Sequence, residues 1–62
     1  MTNEEKGQAY DNCIRESDVL QRVNSKIKSE YAGNIPEDQQ LIINSNNTRI
    51  EQLVKILENL FE

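Results

Sequence analysis

The sequence predicts an all-α protein: an antiparallel two-helix hairpin that assembles with copies of itself into a helical bundle. The chain of 62 residues holds two glycines and one proline, too few for a β-rich fold with many turns. Its apolar residues recur in steps of three and four along two segments, which a single Gly-Asn-Ile-Pro stretch separates. A chain of this length forms one helical-hairpin unit over residues 1–62 and no second domain.

The first helix is predicted over about residues 3–32. Thr2-Asn-Glu-Glu5 fits a capping box, in which the Thr2 hydroxyl accepts from the Glu5 backbone N–H while the Glu5 carboxylate reaches back. Gly33 and Asn34 tolerate the left-handed conformation that ends many helices. We therefore expect the C-terminal cap at these two residues.

The second helix is predicted over about residues 36–61. Pro36 suits a first helical turn, and Glu37 and Asp38 place negative charge at the positive end of the helix dipole. The polar stretch 44–48, Asn-Ser-Asn-Asn-Thr, consists of weak helix formers. A bend or a bound ligand is most expected there.

Heptads on the two helices predict how they face each other. If the chain folds back at Ile35, facing residues have numbers that add up to 70, and every seam position obeys this rule. Asn24 and Asn46 share one layer, where bonded amides would fix the register. The predicted seam consists of Tyr10, Cys13, Ser17, Leu20, Asn24, Ile27 and Tyr31 on the first helix and Gln39, Ile43, Asn46, Ile50, Leu53, Leu57 and Leu60 on the second.

Apolar residues outside the seam predict self-association. A lone hairpin leaves them in water, whereas bundles of more than two helices place apolar residues on both sides of a seam. A chain this short is also marginally stable as a monomer. We expect a homo-oligomer, by default a two-fold dimer forming a four-helix bundle, with a trimer or larger ring as the alternative. The predicted oligomer interface consists of Ile14, Val19, Ile42, Val54, Ile56 and Phe61.

Reactive residues are few, and the sequence does not indicate an enzyme. With no His and one Cys there is no zinc set, and no nucleophile–base pair is recognisable. Cys13 lies in the predicted seam, where it is interpreted as a small buried hydrophobe, with a redox switch or an intermolecular disulfide as alternatives. We expect no catalytic residue, no metal site and no cofactor.

The charges predict a solvated, acidic surface. A net charge of −4 disfavours nonspecific binding to nucleic acid or to an anionic membrane. Charges of alternating sign at helical spacing predict ladders of ion pairs, each contributing about 0.2–0.5 kcal/mol. The ladders consist of Asp11, Arg15, Asp18 and Arg22 on the first helix and Glu51, Lys55 and Glu58 on the second. A functional reading would make the first ladder a partner-binding face.

The composition also gives an expectation of location and origin. Residues 1–6 are polar and acidic, with no apolar segment behind them, so we expect neither a signal peptide nor a membrane span. The expected location is the cytoplasm, that of a host cell if the protein is viral. Asn and Ile make up 15 of the 62 residues, a bias typical of AT-rich genomes such as those of many phages and plasmids.

The opening Met-Thr-x-x-Glu-Lys of residues 1–6, together with the length, resembles the Rop family of plasmid copy-number regulators. The resemblance implies a dimer of helical hairpins that binds paired RNA loops through a helix surface with basic side chains and an aromatic. Here the outer face of the first helix carries Arg15, Arg22 and Lys26, interleaved with Asp11 and Asp18 and without an aromatic.

Two functions remain as hypotheses. The first is a small acidic homo-oligomeric module, of the kind that phages and mobile elements encode as accessory factors, that binds or modulates another protein through its apolar surplus. The second is a Rop-like module that binds RNA or a small nucleotide through basic residues gathered by oligomerisation. Those basic residues are Arg15, Arg22, Lys26, Lys28 and Arg49.

Overall fold

The computed structural model describes residues 1–61, which form two α-helices and no strand. Helix α1 spans Asn3–Tyr31 and helix α2 spans Glu37–Leu60, each bound lying within one residue of its predicted place. The two helices pack against each other as a rod of 46 × 14 × 13 Å. The predicted all-α hairpin is confirmed. No helix within these residues is long and apolar enough to cross a membrane.

The N-terminal cap of α1 forms at Thr2. The Thr2 hydroxyl oxygen accepts from the Glu5 backbone N–H at 3.1 Å, which satisfies one of the free donors of the first turn. The same hydroxyl donates to the Glu5 carboxylate at 3.2 Å. The carboxylate thus meets the Thr2 side chain, whereas a full capping box would pair it with the Thr2 backbone N–H.

The turn between the helices begins one residue earlier than predicted. Ala32 caps α1 in the left-handed region, with φ 48° and ψ 42°, and Gly33 follows with φ 86°. The Asn34 N–H donates to the Tyr31 carbonyl at 2.8 Å. An alanine in this conformation costs roughly 1–2 kcal/mol, which the short reversal of the chain imposes on the residue before Gly33.

Helix α2 begins at Glu37 because Pro36 has an extended backbone, with ψ 152°, and serves as the N-cap. The Pro36 carbonyl accepts from the Gln40 N–H at 2.9 Å. The polar stretch 44–48 continues α2 without a break, and the Thr48 hydroxyl donates to the Asn44 carbonyl one turn back at 3.1 Å. Threonine hydroxyls inside helices commonly donate to the carbonyl four residues earlier in this way.

The core is one row of side chains thick. Ile43 and Leu53 are each 2% exposed, and the other buried residues are Cys13, Ile27 and the polar Asn24. The remaining apolar seam residues are half-buried, except Tyr10, which is exposed. Each fully buried large apolar side chain contributes about 1.5–3 kcal/mol, so this row gives the lone hairpin a small apolar core.

Candidate interaction surfaces

A network of three asparagines crosses the seam in the half of the hairpin nearer the turn. Asn46 Nδ2 donates to Asn24 Oδ1 at 2.9 Å, and Asn24 Nδ2 donates to Asn47 Oδ1 at 3.0 Å. Both ends of the buried Asn24 amide are therefore bonded. Within residues 1–61 no buried side-chain N or O atom lacks a partner. Each such neutral bond contributes about 0.5–1.5 kcal/mol, whereas an unpaired buried amide would cost about 1–3 kcal/mol.

The bond from Asn24 to Asn47 was not expected from the sequence, which placed only Asn46 in the layer. Asn47 is exposed and directly follows Asn46, so its side chain lies at the edge of the seam. The sequence held one signal for this bond. Asn47 directly follows Asn46, and the side-chain amide of Asn24 has both a donor and an acceptor that need partners once it is buried.

The seam divides the exposed surface into two flanks. Residues spaced by seven lie on one stripe of a helix, and residues three or four apart are neighbours on its surface, so a single contact identifies the flank of the residues around it. The Glu16–Arg49 ion pair marks the first, which we call the ion-pair flank. The Tyr10–Phe61 contact marks the second, the aromatic flank. The ion-pair flank consists of Ala9, Glu16, Val19, Val23, Glu30, Ile42, Arg49 and Ile56; the aromatic flank consists of Tyr10, Ile14, Gln21, Lys28, Gln40, Asn47, Val54 and Phe61.

The ion pair joins the two helices near the middle of each. Arg49 Nε and Nη2 donate to the two carboxylate oxygens of Glu16, the second at 3.2 Å, and Arg49 Nη1 donates to Gln52 Oε1 at 3.3 Å. Two parallel bonds of this kind fix the geometry of the guanidinium and the carboxylate. The side chains of Arg49 and Glu16 remain 45% and 41% exposed.

The ion pair shifts the pKa of both groups. The hydrogen bond from Arg49, opposed by partial burial and reinforced by its charge, holds the pKa of Glu16 below the ordinary value. The hydrogen bond and the charge of Glu16 raise the pKa of Arg49. This pair was not expected from the sequence. Its signal was that Glu16 and Arg49 each directly precede a seam position, and such positions lie side by side across an antiparallel pair.

The aromatic flank is apolar at the open end of the hairpin, where the chain begins and ends. The Tyr10 and Phe61 rings meet edge to face, with centroids 5.9 Å apart and planes at 72°. Tyr10, predicted in the seam opposite Leu60, therefore lies at the seam edge against Phe61. An open groove of about 490 Å³ runs beside them, lined by Asn3, Lys6, Gly7, Tyr10, Asp11, Leu60 and Phe61.

The six residues predicted for an oligomer interface are all exposed, but the structure divides them between the flanks. Val19, Ile42 and Ile56 lie on the ion-pair flank. Ile14, Val54 and Phe61 lie on the aromatic flank, on the other side of the seam. One flat interface therefore cannot cover all six. Val23 and Leu41, also exposed, were not among them; Val23 lies seven residues after Glu16 and so belongs to the ion-pair flank.

The basic residues do not form one patch on the single chain. Arg22 pairs with Asp18 at 3.0 Å, and Arg49 pairs with Glu16 across the seam. Arg15, Lys26 and Lys28 are exposed on α1. Arg15 and Arg22 share one stripe, spaced by seven, whereas Lys28 belongs to the aromatic flank and Arg49 to the opposite flank.

Of the predicted ion-pair ladders, only the Asp18–Arg22 pair forms within residues 1–61. The other expected pairs do not form among these residues, so their prediction is wrong: Asp11 with Arg15, Arg15 with Asp18, and Lys55 with Glu51 or Glu58. Exposed long side chains lose rotamer freedom on pairing and gain little Coulomb energy in water, so such pairs form readily only where the geometry is favourable.

Metal-ligating and thiol side chains are sparse in the described residues. Within residues 1–61 no group of three His, Cys, Asp or Glu side chains lies close enough to hold a metal ion. Cys13 is a free thiol buried in the seam, as a small hydrophobe would be.

The chain matches no protein-family model, no curated protein and no solved structure. The resemblance of residues 1–6 to the Rop family therefore stays an expectation.

Proposed function

We propose that this chain is a small homo-oligomeric helical module that binds and modulates another protein. The observation that carries the proposal is an imbalance of apolar surface: ten large apolar side chains are 40–77% exposed, whereas four apolar residues are buried. Exposed apolar residues that cluster on one face of a protein mark sites of association. The exposed set is Met1, Tyr10, Ile14, Val19, Val23, Leu41, Ile42, Val54, Ile56 and Phe61.

Self-association is supported by the thin core. A hairpin with a single row of buried side chains gains much of its stability only when a second hairpin covers a flank. A two-fold dimer forming a four-helix bundle is the simplest assembly, because closed two-fold pairing is the commonest solution among homo-oligomers.

Binding of another protein is supported by the open end of the aromatic flank. Protein interfaces are enriched in aromatic residues, and their strongest contacts come from aromatic groups beside a groove. Tyr10 and Phe61 provide such a pair beside an open groove. A module of this kind suits an accessory factor of a phage or mobile element that alters the activity of its partner.

The RNA-binding alternative has less support. It needs Arg15, Arg22, Lys26, Lys28 and Arg49 to meet in an oligomer with a chain charge of −4. Two of the five already bind carboxylates of their own chain. Tight binding to paired RNA loops that weakens steeply with added salt would reverse the choice between the two functions.

The experiment is crosslinking capture in the source cells with three matched chains: wild type, Phe61→Ser and Leu41→Ser. Phe61 and Leu41 are 68% and 62% exposed apolar residues of the C-terminal half, but only Phe61 lies on the aromatic flank. We expect wild type and Leu41→Ser to capture the same protein, and Phe61→Ser to lose it while keeping its helicity. Equal capture by all three chains, capture of no protein, or recovery of salt-sensitive RNA would contradict the proposal.

A further inference from the structure

Acidic rows border the aromatic flank on both helices. On the side away from the seam, each helix carries one more row of residues spaced by seven, and the two rows edge the same face of the hairpin. Together they contain six exposed acidic residues and no basic residue. We call these rows the acidic borders; they consist of Glu4, Asp11, Asp18 and Ser25 on α1 and Glu37, Asn44, Glu51 and Glu58 on α2.

The groove beside Tyr10 shows that the acidic borders reach this face. Asp11 lines the groove together with Tyr10, so a border residue of α1 lies on the face that the aromatic flank occupies. The seam pairing places Asp11 at nearly the same level along the rod as Glu58, and Asp18 at nearly the same level as Glu51. Two pairs of carboxylates therefore lie on either side of the apolar part of the flank.

Most of these carboxylates have no cation of their own chain. Asp18 binds Arg22, and within residues 1–61 the other five border carboxylates form no ion pair. The rows that carry Arg15, Arg22 and Lys55 lie opposite the seam and face away from the aromatic flank. The charges of these three residues therefore leave the borders with an excess of negative charge toward the flank.

The two lysines nearest to the flank lie beyond its apolar part. Lys6 lines the groove at the open end, and Lys28 lies toward the turn. Between these two levels, Ile14 and Val54 are exposed. The surface around them is therefore apolar in the middle and negative on both sides.

The ion-pair flank has no such borders. The rows in the equivalent place on that face contain two acidic residues and one basic residue. They consist of Glu5, Asn12, Val19 and Lys26 on α1 and Asp38, Ser45, Gln52 and Asn59 on α2. The acidic residues are therefore concentrated around one face, beyond what a net charge of −4 spread evenly over the chain would give.

The strip between the acidic borders has the shape of a site for a helix. It runs straight between α1 and α2, and from Glu4 to Asp18 it extends roughly 20 Å, which is about four helical turns. Gly7 lies on the same stripe as Ile14, and a Cβ atom added at Gly7 would meet no atom within 4 Å. The groove next to Tyr10 is therefore open to a bulky side chain from a partner.

We propose that the aromatic flank binds an amphipathic helix of the partner protein, whose apolar stripe has Lys and Arg residues on both sides. The apolar stripe packs on Ile14, Val54 and the Tyr10–Phe61 pair, and the cations on either side meet the acidic borders. This inference rests on the proposed binding of another protein and specifies the chemistry of that partner. The ion-pair flank then remains for the proposed self-association.

The test compares two synthetic peptides of about 18 residues, long enough for about five helical turns. Both carry the same stripe of leucines at helical spacing; one has Lys on both sides of the stripe, and the other has Glu at the same positions. Binding to the wild-type chain is measured by calorimetry, and helicity by circular dichroism. We expect the Lys peptide to bind and gain helicity, and the Glu peptide to bind at least about a hundredfold more weakly, because like charges across an interface repel.

Two charge-reversed chains separate the acidic borders from net charge. Asp11→Lys/Glu58→Lys changes one border pair, and Glu30→Lys/Asp38→Lys makes the same change in net charge away from the aromatic flank. We expect the first chain to lose about tenfold or more of the wild-type preference for the Lys peptide, and the second to keep that preference within about twofold. If a reversed chain is unfolded, the isosteric variant Asp11→Asn/Glu58→Gln replaces it, with an expected loss of about fivefold.

The position of the bound peptide is tested with Phe61→Ser, which should lose the Lys peptide, and with Leu41→Ser, which should keep it. The inference is overturned if wild type binds the two peptides equally or binds neither, or if both charge-reversed chains lose the preference alike. Capture in the source cells of a protein that crosslinks to the aromatic flank through a segment other than a basic helix would also overturn it, while leaving the proposed function standing. Capture of no protein is a different result, because it would remove the proposed function itself.

Discussion

Each flank of the seam carries four exposed large apolar side chains, but the two flanks distribute them differently. On the ion-pair flank, Val23, Ile42 and Ile56 lie on both sides of a central charge pair. On the aromatic flank, the apolar residues gather at the open end around Tyr10 and Phe61. The two flanks therefore offer a partner different surfaces: one has apolar residues around a central charge pair, and the other has an apolar cluster at the open end of the rod.

The largest expected difference between the flanks comes from introducing one negative charge on each. Ile42 and Val54 are exposed to 42% and 47%, and both lie on α2 beside the seam. If the ion-pair flank is the dimer interface, Ile42→Glu buries a charge without a partner, which makes the free energy of dimer formation less favourable by about 3–5 kcal/mol. We expect that variant to be monomeric and Val54→Glu to remain dimeric in sedimentation experiments. The reverse pattern would assign self-association to the aromatic flank.

The asparagine network provides a second test, since Asn24 connects the seam to the aromatic flank through Asn47. Asn24→Leu leaves Asn46 and Asn47 without their partner, and Asn46→Leu leaves Asn24 Oδ1 unpaired. We expect each substitution to lower the free energy of unfolding, measured with urea, by about 1–3 kcal/mol. The double variant Asn24→Leu/Asn46→Leu should be more stable than either single one.

Asn47→Ala is the matched control for the network, because it removes only the bond on the aromatic flank. We expect a smaller loss of about 1 kcal/mol, since Asn47 is exposed and water replaces part of the bond. If the Asn24 and Asn46 effects simply add, the two residues do not act as one layer and the register of the seam is wrong.

The aromatic pair should contribute less. A double-mutant cycle with Tyr10→Ala and Phe61→Ala measures the coupling of the two rings, for which we expect about 0.5–1 kcal/mol in unfolding experiments. The same cycle with Tyr10→Ala and Leu41→Ala, which lie at opposite ends of the rod, should give no coupling. Zero coupling between Tyr10 and Phe61 would mean that their edge-to-face contact does not help to hold the open end.

The smallest expected effect is a pH dependence confined to the ion-pair flank. Because the folded state lowers the pKa of Glu16, its stabilising contribution is present above the ordinary glutamate value and is lost as the pH falls through the lowered pKa. Between about pH 5 and 3, wild type should lose thermal stability more steeply than Glu16→Gln. Phe61→Ala should keep the wild-type slope, and equal slopes in all three chains would contradict the role of the pair.

The fold was largely predictable because helix signals are local. The cap at Thr2 and the break before Pro36 set the helix bounds, and the heptads set which faces meet. The left-handed Ala32 was not predictable, because Gly33 beside it is the better residue for a positive φ, and the turn adopts a positive φ at both positions.

The surfaces were less predictable because they depend on which side of the seam each residue takes. Ile14 and Ile42 are both apolar neighbours of the seam, but Ile14 follows a seam position whereas Ile42 precedes one, and the antiparallel packing puts such positions on opposite flanks. The Glu16–Arg49 pair depends on the same information. Exposed pairs such as Asp11 and Arg15 have the right spacing but too little energy to hold one geometry.

The central claim, that the exposed apolar surface of this hairpin drives self-association, is tested most directly by the mass of the wild-type chain in solution. Light scattering and thermal unfolding should be measured together over a range of about 1–500 μM. We expect a mass of twice the 7.2 kDa chain and an unfolding temperature that rises with concentration. A mass of 7.2 kDa throughout, with full helicity and a constant unfolding temperature, would contradict it.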